Sequence, residues 1–213
     1  MLKQAFENTK QALEATGTIA IIRGLPHSDI DPLIQALYDG GIRMAEVTVN
    51  SPDAFGSIAK LCKKWKGKMY IGAGTVVNTG LAEKAIEAGA AFIVTPNYSP
   101  AVVQYCIDRD VLITPGVFTP SEMVSAMEQG CEYIKLFPAG SLGTAYIKAV
   151  LAPLNDAKIL AVGGISAGNA GEYYSAGIFG TGVGGSLCKV PADGNWTSVT
   201  SEAEKLIAAF KNK

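Results

Sequence analysis

Histidine is almost missing from this 213-residue chain; His27, in a Pro-His-Ser-Asp turn, is the only one. A histidine-dependent triad or a histidine-rich metal site is therefore not expected, and His27 reads as a solvated loop residue. The four cysteines, Cys62, Cys106, Cys131 and Cys188, are scattered without CxxC spacing and carry no zinc or redox pattern. They read as buried or half-buried free thiols in a reducing compartment. There is no basic run and no interleaved aromatic-basic stripe, and the formal net charge is −1 with 17% charged residues. That excludes the electrostatic footprint of a nucleic-acid-binding protein. No apolar run is long enough to span a bilayer. The opening residues, Met1 to Glu7, lack the apolar core of a signal peptide and read as the start of an amphipathic helix reaching about Ala15. These absences point to a cytoplasmic protein with no nucleic-acid or membrane partner. No GxGxxG opens the first strand–helix unit, which counts against a dinucleotide-binding sheet. No linker or low-complexity stretch divides residues 1–213, which read as one domain.

What the chain does have is alternation. Short apolar runs at Thr18–Ile22, Met44–Val49, Tyr70–Gly72, Ala91–Val94, Val111–Thr114, Tyr133–Leu136, Ile159–Ala161 and Ile178–Val183 have strand character. Helical patterns fall between them, such as Leu33, Ile34 and Leu37, or Leu81, Ala85 and Ala88. Ser28, Ser51-Pro52-Asp53, Ser99-Pro100 and Thr119-Pro120-Ser121-Glu122 combine N-cap residues with first-turn proline. Gly40-Gly41, Gly89, Gly130 and Gly177 mark helix ends. Eight strand–helix units predict an α/β fold, a single-domain (β/α)8 TIM barrel. An extra N-terminal helix is expected to plug the bottom, and a final helix covers about Ser198–Lys211.

Lysine 135 stands out within this pattern. It lies inside Tyr133-Ile134-Lys135-Leu136-Phe137-Pro138, an apolar run closed by proline. Burying an ammonium is costly, so a fold must either pair such a lysine or lower its pKa. A lysine with a lowered pKa can attack a carbonyl and form a Schiff base. The plainer alternative is a lysine that snorkels or pairs with a glutamate.

In a (β/α)8 barrel the chemistry sits at the carboxyl ends of the strands. Those ends supply Arg23; Glu46, Thr48 and Asn50, on one face by alternation; Thr75; Pro96; Lys135 and Phe137. The last two strands end in Gly163-Gly164-Ile165 and Gly184-Gly185-Ser186. Glycine lets backbone N–H groups approach an anion, and barrels often bind phosphate at these two positions. Glu46 reads as a general acid/base beside the amine or as its structural partner. Arg23 suits a carboxylate, Pro96 and Phe137 an apolar wall that keeps water out. No cofactor and no metal is expected.

Taken together, the segments IIRG, AEVTVNSP, GAGTV, VTPN, TPGV, YIKLFPA, VGGIS and GVGGS resemble the class I 2-keto-3-deoxy-6-phosphogluconate (KDPG) aldolases. The similarity runs from about Ile19 to Ser186. The resemblance implies a homotrimeric barrel that cleaves a phosphorylated 2-keto-3-deoxy sugar acid to pyruvate and glyceraldehyde 3-phosphate. It implies Lys135 as the Schiff-base lysine and Glu46 as the catalytic glutamate. Thr75 matches the threonine of the GAGT turn, Pro96 the proline after strand four, and the two glycine loops the phosphate site. Two features depart from the gluconate pattern: Asn50 replaces an arginine, and Ala161-Val162-Gly163-Gly164 replaces Pro-Thr-Gly-Gly. Both resemble the 6-phosphogalactonate branch, which moves the expected carboxylate grip from strand two to Arg23. Alternatives are 4-hydroxy-2-oxoglutarate as substrate, a non-covalent sugar-phosphate epimerase or isomerase, and a ligand-binding barrel without catalysis.

Overall fold

The computed structural model describes residues 2–213. Its strands are β1 (Thr18–Ile22), β2 (Met44–Thr48), β3 (Tyr70–Gly74), β4 (Phe92–Val94), β5 (Leu112–Thr114), β6 (Gly116–Val117), β7 (Tyr133–Leu136), β8 (Lys158–Val162) and β9 (Gly180–Val183). The helices are α1 (Leu2–Thr16), α2 (His27–Asp39), α3 (Ala54–Lys64), α4 (Thr79–Glu87), α5 (Pro100–Ile107), α6 (Pro120–Glu128), α7 (Ala139–Leu151), α8 (Ala170–Ser175) and α9 (Thr197–Lys211). All strand pairs are parallel, in the order β5-β4-β3-β2-β1-β9-β8-β7-β6.

The sequence predicts eight strands and the structure has nine, because the fifth is broken at Pro115. Proline has no N–H to give to a ladder, so pairing stops there. β5 pairs with β4 and β6 pairs with β7, and the single residue between them closes the barrel. The Pro115 carbonyl still accepts from Lys135 N at 2.8 Å, which ties the interruption to the strand carrying the candidate lysine. The other predicted boundaries shift by one or two residues. His27 is a correction: it opens α2 rather than lying in a loop, with Pro26 at the N-cap. It is exposed, as expected, and its Nδ1 is 3.3 Å from Ser57 Oγ.

Helix starts follow the expected chemistry where caps are strong. Thr119 and Glu122 form a complete capping box on α6, with Pro120 in the first turn. Ser99 and Asp53 occupy N-cap positions for α5 and α3. Asn78, which caps α4 by accepting from Leu81 N, was not anticipated.

Two apolar layers result. The larger lies between the sheet and the surrounding helices. The smaller fills the barrel and comprises Ile19, Met44, Phe92, Val94, Leu112, Tyr133, Leu160 and Val162 with Ala12 and Leu13 of α1. The N-terminal helix therefore plugs the bottom, as expected. Tyr133 Oη donates to Glu14 Oε1 at 2.7 Å, fixing α1 to the interior layer.

Candidate active site

A pocket of about 580 Å³ opens at the carboxyl ends of the strands. Arg23, Glu46, Lys135 and Phe137 line it together with Gly163, Gly164, Ile165, Gly184, Gly185 and Ser186. The strands thus gather side chains from positions 23 to 186 into one cavity, as a barrel of short parallel strands must when each loop returns to the same rim.

Lys135 is 6% exposed and Glu46 2%. Lys135 is the only buried lysine among the described residues. Its strand neighbours Ile134 and Leu136 point to the outer core, so alternation turns Lys135 inward. Burial pushes its amine below the ordinary lysine value. Glu46 opposes that shift and Arg23 adds to it. Burial likewise raises the Glu46 carboxyl, against the pull of Lys135 and then Arg23. Each group therefore moves toward its neutral form, which a nucleophilic amine and a proton-donating acid both require. The ammonium end also sits 4.9 Å from the centre of the Phe137 ring. Phe137 is 37% exposed for so large an apolar side chain, so it forms a wall at the pocket rather than part of the core. Gly74 makes room for the acid: a Cβ there would overlap the Glu46 carboxylate.

The two glycine loops differ in why they are glycine. Gly163 and Gly164 have φ of 88° and 79°, which side chains rarely adopt. Gly184 and Gly185 need no such angle. A Cβ at Gly184 would meet only ordinary contacts with Ile21, and one at Gly185 nothing within 4 Å. Neither conformation nor packing demands glycine there, and the space in front of the loop is left open to a ligand. Ser186 Oγ donates to Ile165 O at 3.0 Å and joins the loops. Asn169 shapes the first of them, accepting from Ser166 N and donating to Gly164 O, both at 2.9 Å.

Three expected site residues lie off the pocket wall. Asn50 is exposed in the turn beyond β2, where strand alternation no longer applies. Thr48, before it, is buried and bonds to Ser51 Oγ at 2.9 Å. Pro96 packs its carbonyl against Gly116. Thr75 stands behind Arg23 and accepts from its Nη2 at 3.4 Å. Thr75 has φ of 62°, an outlier for a β-branched residue and a form of strain that clusters at functional sites. The lining also includes Ile21, Val162, Ser166, Gly182 and Cys188, which sequence reasoning did not select as contacts. Strand alternation could have found Ile21 and Val162, since each shares a face with a residue of the interior layer.

Known proteins match most of this chain in sequence and in fold. The family model for KDPG and KHG aldolase matches residues 9–201. A probable 2-dehydro-3-deoxy-6-phosphogalactonate aldolase of Rhizobium meliloti (strain 1021) is 40% identical over 172 residues, 80% of this chain and 81% of that protein. A 2-dehydro-3-deoxy-phosphogluconate aldolase of Treponema pallidum (strain Nichols) is 37% identical over 166 residues, 78% of this chain and 79% of that protein. The crystal structure of KDPG aldolase from Legionella pneumophila, with pyruvate captured as a covalent carbinolamine, superposes with a TM-score of 0.82 at 27% identity, covering 97% of this chain and 98% of that one. The chain belongs to the KDPG and KHG aldolase family.

Proposed function

We propose that this chain is a class I aldolase that cleaves a 2-keto-3-deoxy-6-phospho sugar acid to pyruvate and glyceraldehyde 3-phosphate through an imine on Lys135. The observation that carries this reading is the one buried lysine, its amine held below the ordinary range, opening beside Glu46 into the strand-end pocket. The neutral amine attacks the C2 keto carbon, the protonated Glu46 gives its proton to the carbinolamine hydroxyl, and water leaves to give a protonated imine and the Glu46 carboxylate. Glu46 takes the proton from the C4 hydroxyl. The C3–C4 bond breaks, its electron pair enters the imine to form an enamine, and glyceraldehyde 3-phosphate leaves. A proton passes from Glu46 to C3, and water hydrolyses the imine to release pyruvate and restore the amine.

The backbone N–H groups of residues 163–165 and 184–186 hold the phosphate, and Arg23 holds the carboxylate. The same pocket of about 580 Å³ is lined by Arg23, Lys135 and the glycine loops, so both ends of the substrate can reach their partners within it. Arg23, backed by Thr75, takes the gripping role because Asn50 lies off the wall. Val162 in the wall and the identity to the Rhizobium protein favour the galactonate epimer. 4-Hydroxy-2-oxoglutarate is the second reading, since the family includes aldolases acting on it. It would leave the glycine loops unused, so kcat/KM over the two epimers and this acid distinguishes them. The working form is a cytoplasmic homotrimer, a reading supported by the family resemblance and checked by sedimentation.

Borohydride with pyruvate tests the covalent reading. A reduced adduct on the peptide containing Lys135 is the expected result; label on another lysine, or none, overturns it.

A further inference from the structure

The run Ser51-Pro52-Asp53 has the pattern of a helix start, yet α3 begins at Ala54 with Asp53 at its N-cap. Ser51 therefore stands ahead of the helix, and its hydroxyl is bonded elsewhere. It accepts from Gly24 N–H at 2.9 Å and shares a second hydrogen bond with Thr48 Oγ1, also at 2.9 Å. Thr48 is fully buried at the end of β2. Its carbonyl accepts from Ser51 N at 2.9 Å, so the turn is closed by two bonds. Ser51 is thus fixed to the strand that carries Glu46 and reaches across to the loop that carries Arg23.

That loop has little else to hold it. The ladder between β1 and β2 ends at Ile22 and Val47. Beyond it, the main chain of residues 23–25 makes one hydrogen bond among the described residues, the one to Ser51. Gly24 has φ of 63°, and a Cβ there would meet nothing within 4 Å. Glycine at this position serves the backbone turn that presents its N–H to Ser51, not a tight fit. Farther along, His27 makes looser contacts, 3.3 Å to Ser57 Oγ and 3.8 Å to Asp53 Oδ2. The guanidinium of Arg23 makes one side-chain hydrogen bond, to Thr75 at 3.4 Å. That is longer than the roughly 2.7–3.2 Å of a good N–H···O bond. With so loose a side-chain contact, the place of the guanidinium depends on where the backbone holds its Cα.

We propose that Ser51 is a positioning residue that holds Arg23 at the pocket wall, acting through the Gly24 N–H with Thr48 as its anchor. The inference rests on Arg23 being the group that grips the substrate carboxylate. Ser51 does not line the pocket, whereas Arg23 does. It therefore reaches the carboxylate end only through the loop. Removing its hydroxyl frees the loop and leaves Lys135 and Glu46 on their strands. A grip that is in place only part of the time lowers apparent affinity by the fraction in place. The cost thus falls on capture of the keto acid and not on the covalent step.

The test is borohydride trapping followed against pyruvate concentration. In Ser51→Ala the concentration for half-maximal trapping should rise about two- to tenfold, the worth of one net hydrogen bond. The maximal rate should stay at the wild-type value, since the amine and the acid are untouched. Ser51→Thr keeps the hydroxyl and should match wild type. In an Arg23→Ala background, Ser51→Ala should add nothing, because no guanidinium is left to position. An unchanged half-maximal concentration, a fallen maximal rate, or full additivity with Arg23→Ala overturns the proposal. If Ser51→Ala does not fold, Thr48→Val, which removes the anchoring hydroxyl instead, is read by the same outcomes. Arg23→Ala alone separates the two levels of the argument. If it leaves trapping unchanged, the carboxylate assignment fails and the proposal with it. If it weakens trapping and Ser51→Ala does not, only the proposal fails.

Discussion

On β2, Met44 packs in the lower interior of the barrel, and Glu46, two residues on, lines the pocket. Tyr133 and Lys135 stand in the same relation on β7, and Leu112 and Thr114 on β5. β2, β5 and β7 thus each add one side chain to a closed apolar floor and one polar side chain above it, while β1, β4 and β8 place Ile21, Val94 and Val162 at the upper level. The floor is sealed by Leu13 and Ala12 of α1 and stabilises the fold by burying apolar area. The upper layer works against stability: its charges are desolvated and its loops are glycine. Two residues of strand rise separate a layer selected for packing from one selected for chemistry.

Substitutions in the two layers should therefore have effects of different kinds. The largest expected effect is in the upper layer: Lys135→Arg should abolish turnover and trapping while the protein stays folded. A guanidinium does not deprotonate in proteins, so the charge survives and the nucleophile does not. Activity assays paired with circular dichroism check both halves. Glu46→Gln comes next, with kcat lowered by about 10²–10⁴-fold, the range for a lost general acid/base. Near-normal turnover would move Glu46 into the packing layer.

The floor should answer the other way. Leu13→Ala removes a fully buried side chain and should cost about 2–5 kcal/mol in denaturant unfolding, with kcat per folded molecule unchanged. A kcat that falls in step with stability would dissolve the distinction between the layers. The smallest effects probe the two ends of the substrate. Gly184→Val adds bulk where the backbone is open, and should raise KM for phosphorylated substrate roughly ten- to a hundredfold, the worth of a few charge-assisted bonds. Pyruvate trapping, which involves no phosphate, should persist in it. Arg23→Ala should weaken pyruvate trapping. The opposite pattern would mean that the substrate lies reversed in the pocket.

Alternation of apolar runs and capped helices was enough to read a (β/α)8 barrel from the chain, because each unit carries its own local period and punctuation. The glutamate, the lysine and the two glycine loops were legible for the same reason, as polar or glycine positions at the ends of apolar strands. Three things were not. The break at Pro115 could not be told from an ordinary strand end, since the residues beyond it pair with β7 and not with β4. Asn50 was assigned to the site by extending strand alternation past Thr48, where the backbone already turns. Thr114 looked like any polar strand end until the tertiary structure buried its hydroxyl without a partner. Local sequence decides which residues are strand, cap or turn, because those preferences act over a few bonds. Which side chains share a cavity, and which buried group lacks a partner, depends on closure of the barrel across 160 residues, which only the tertiary structure sets.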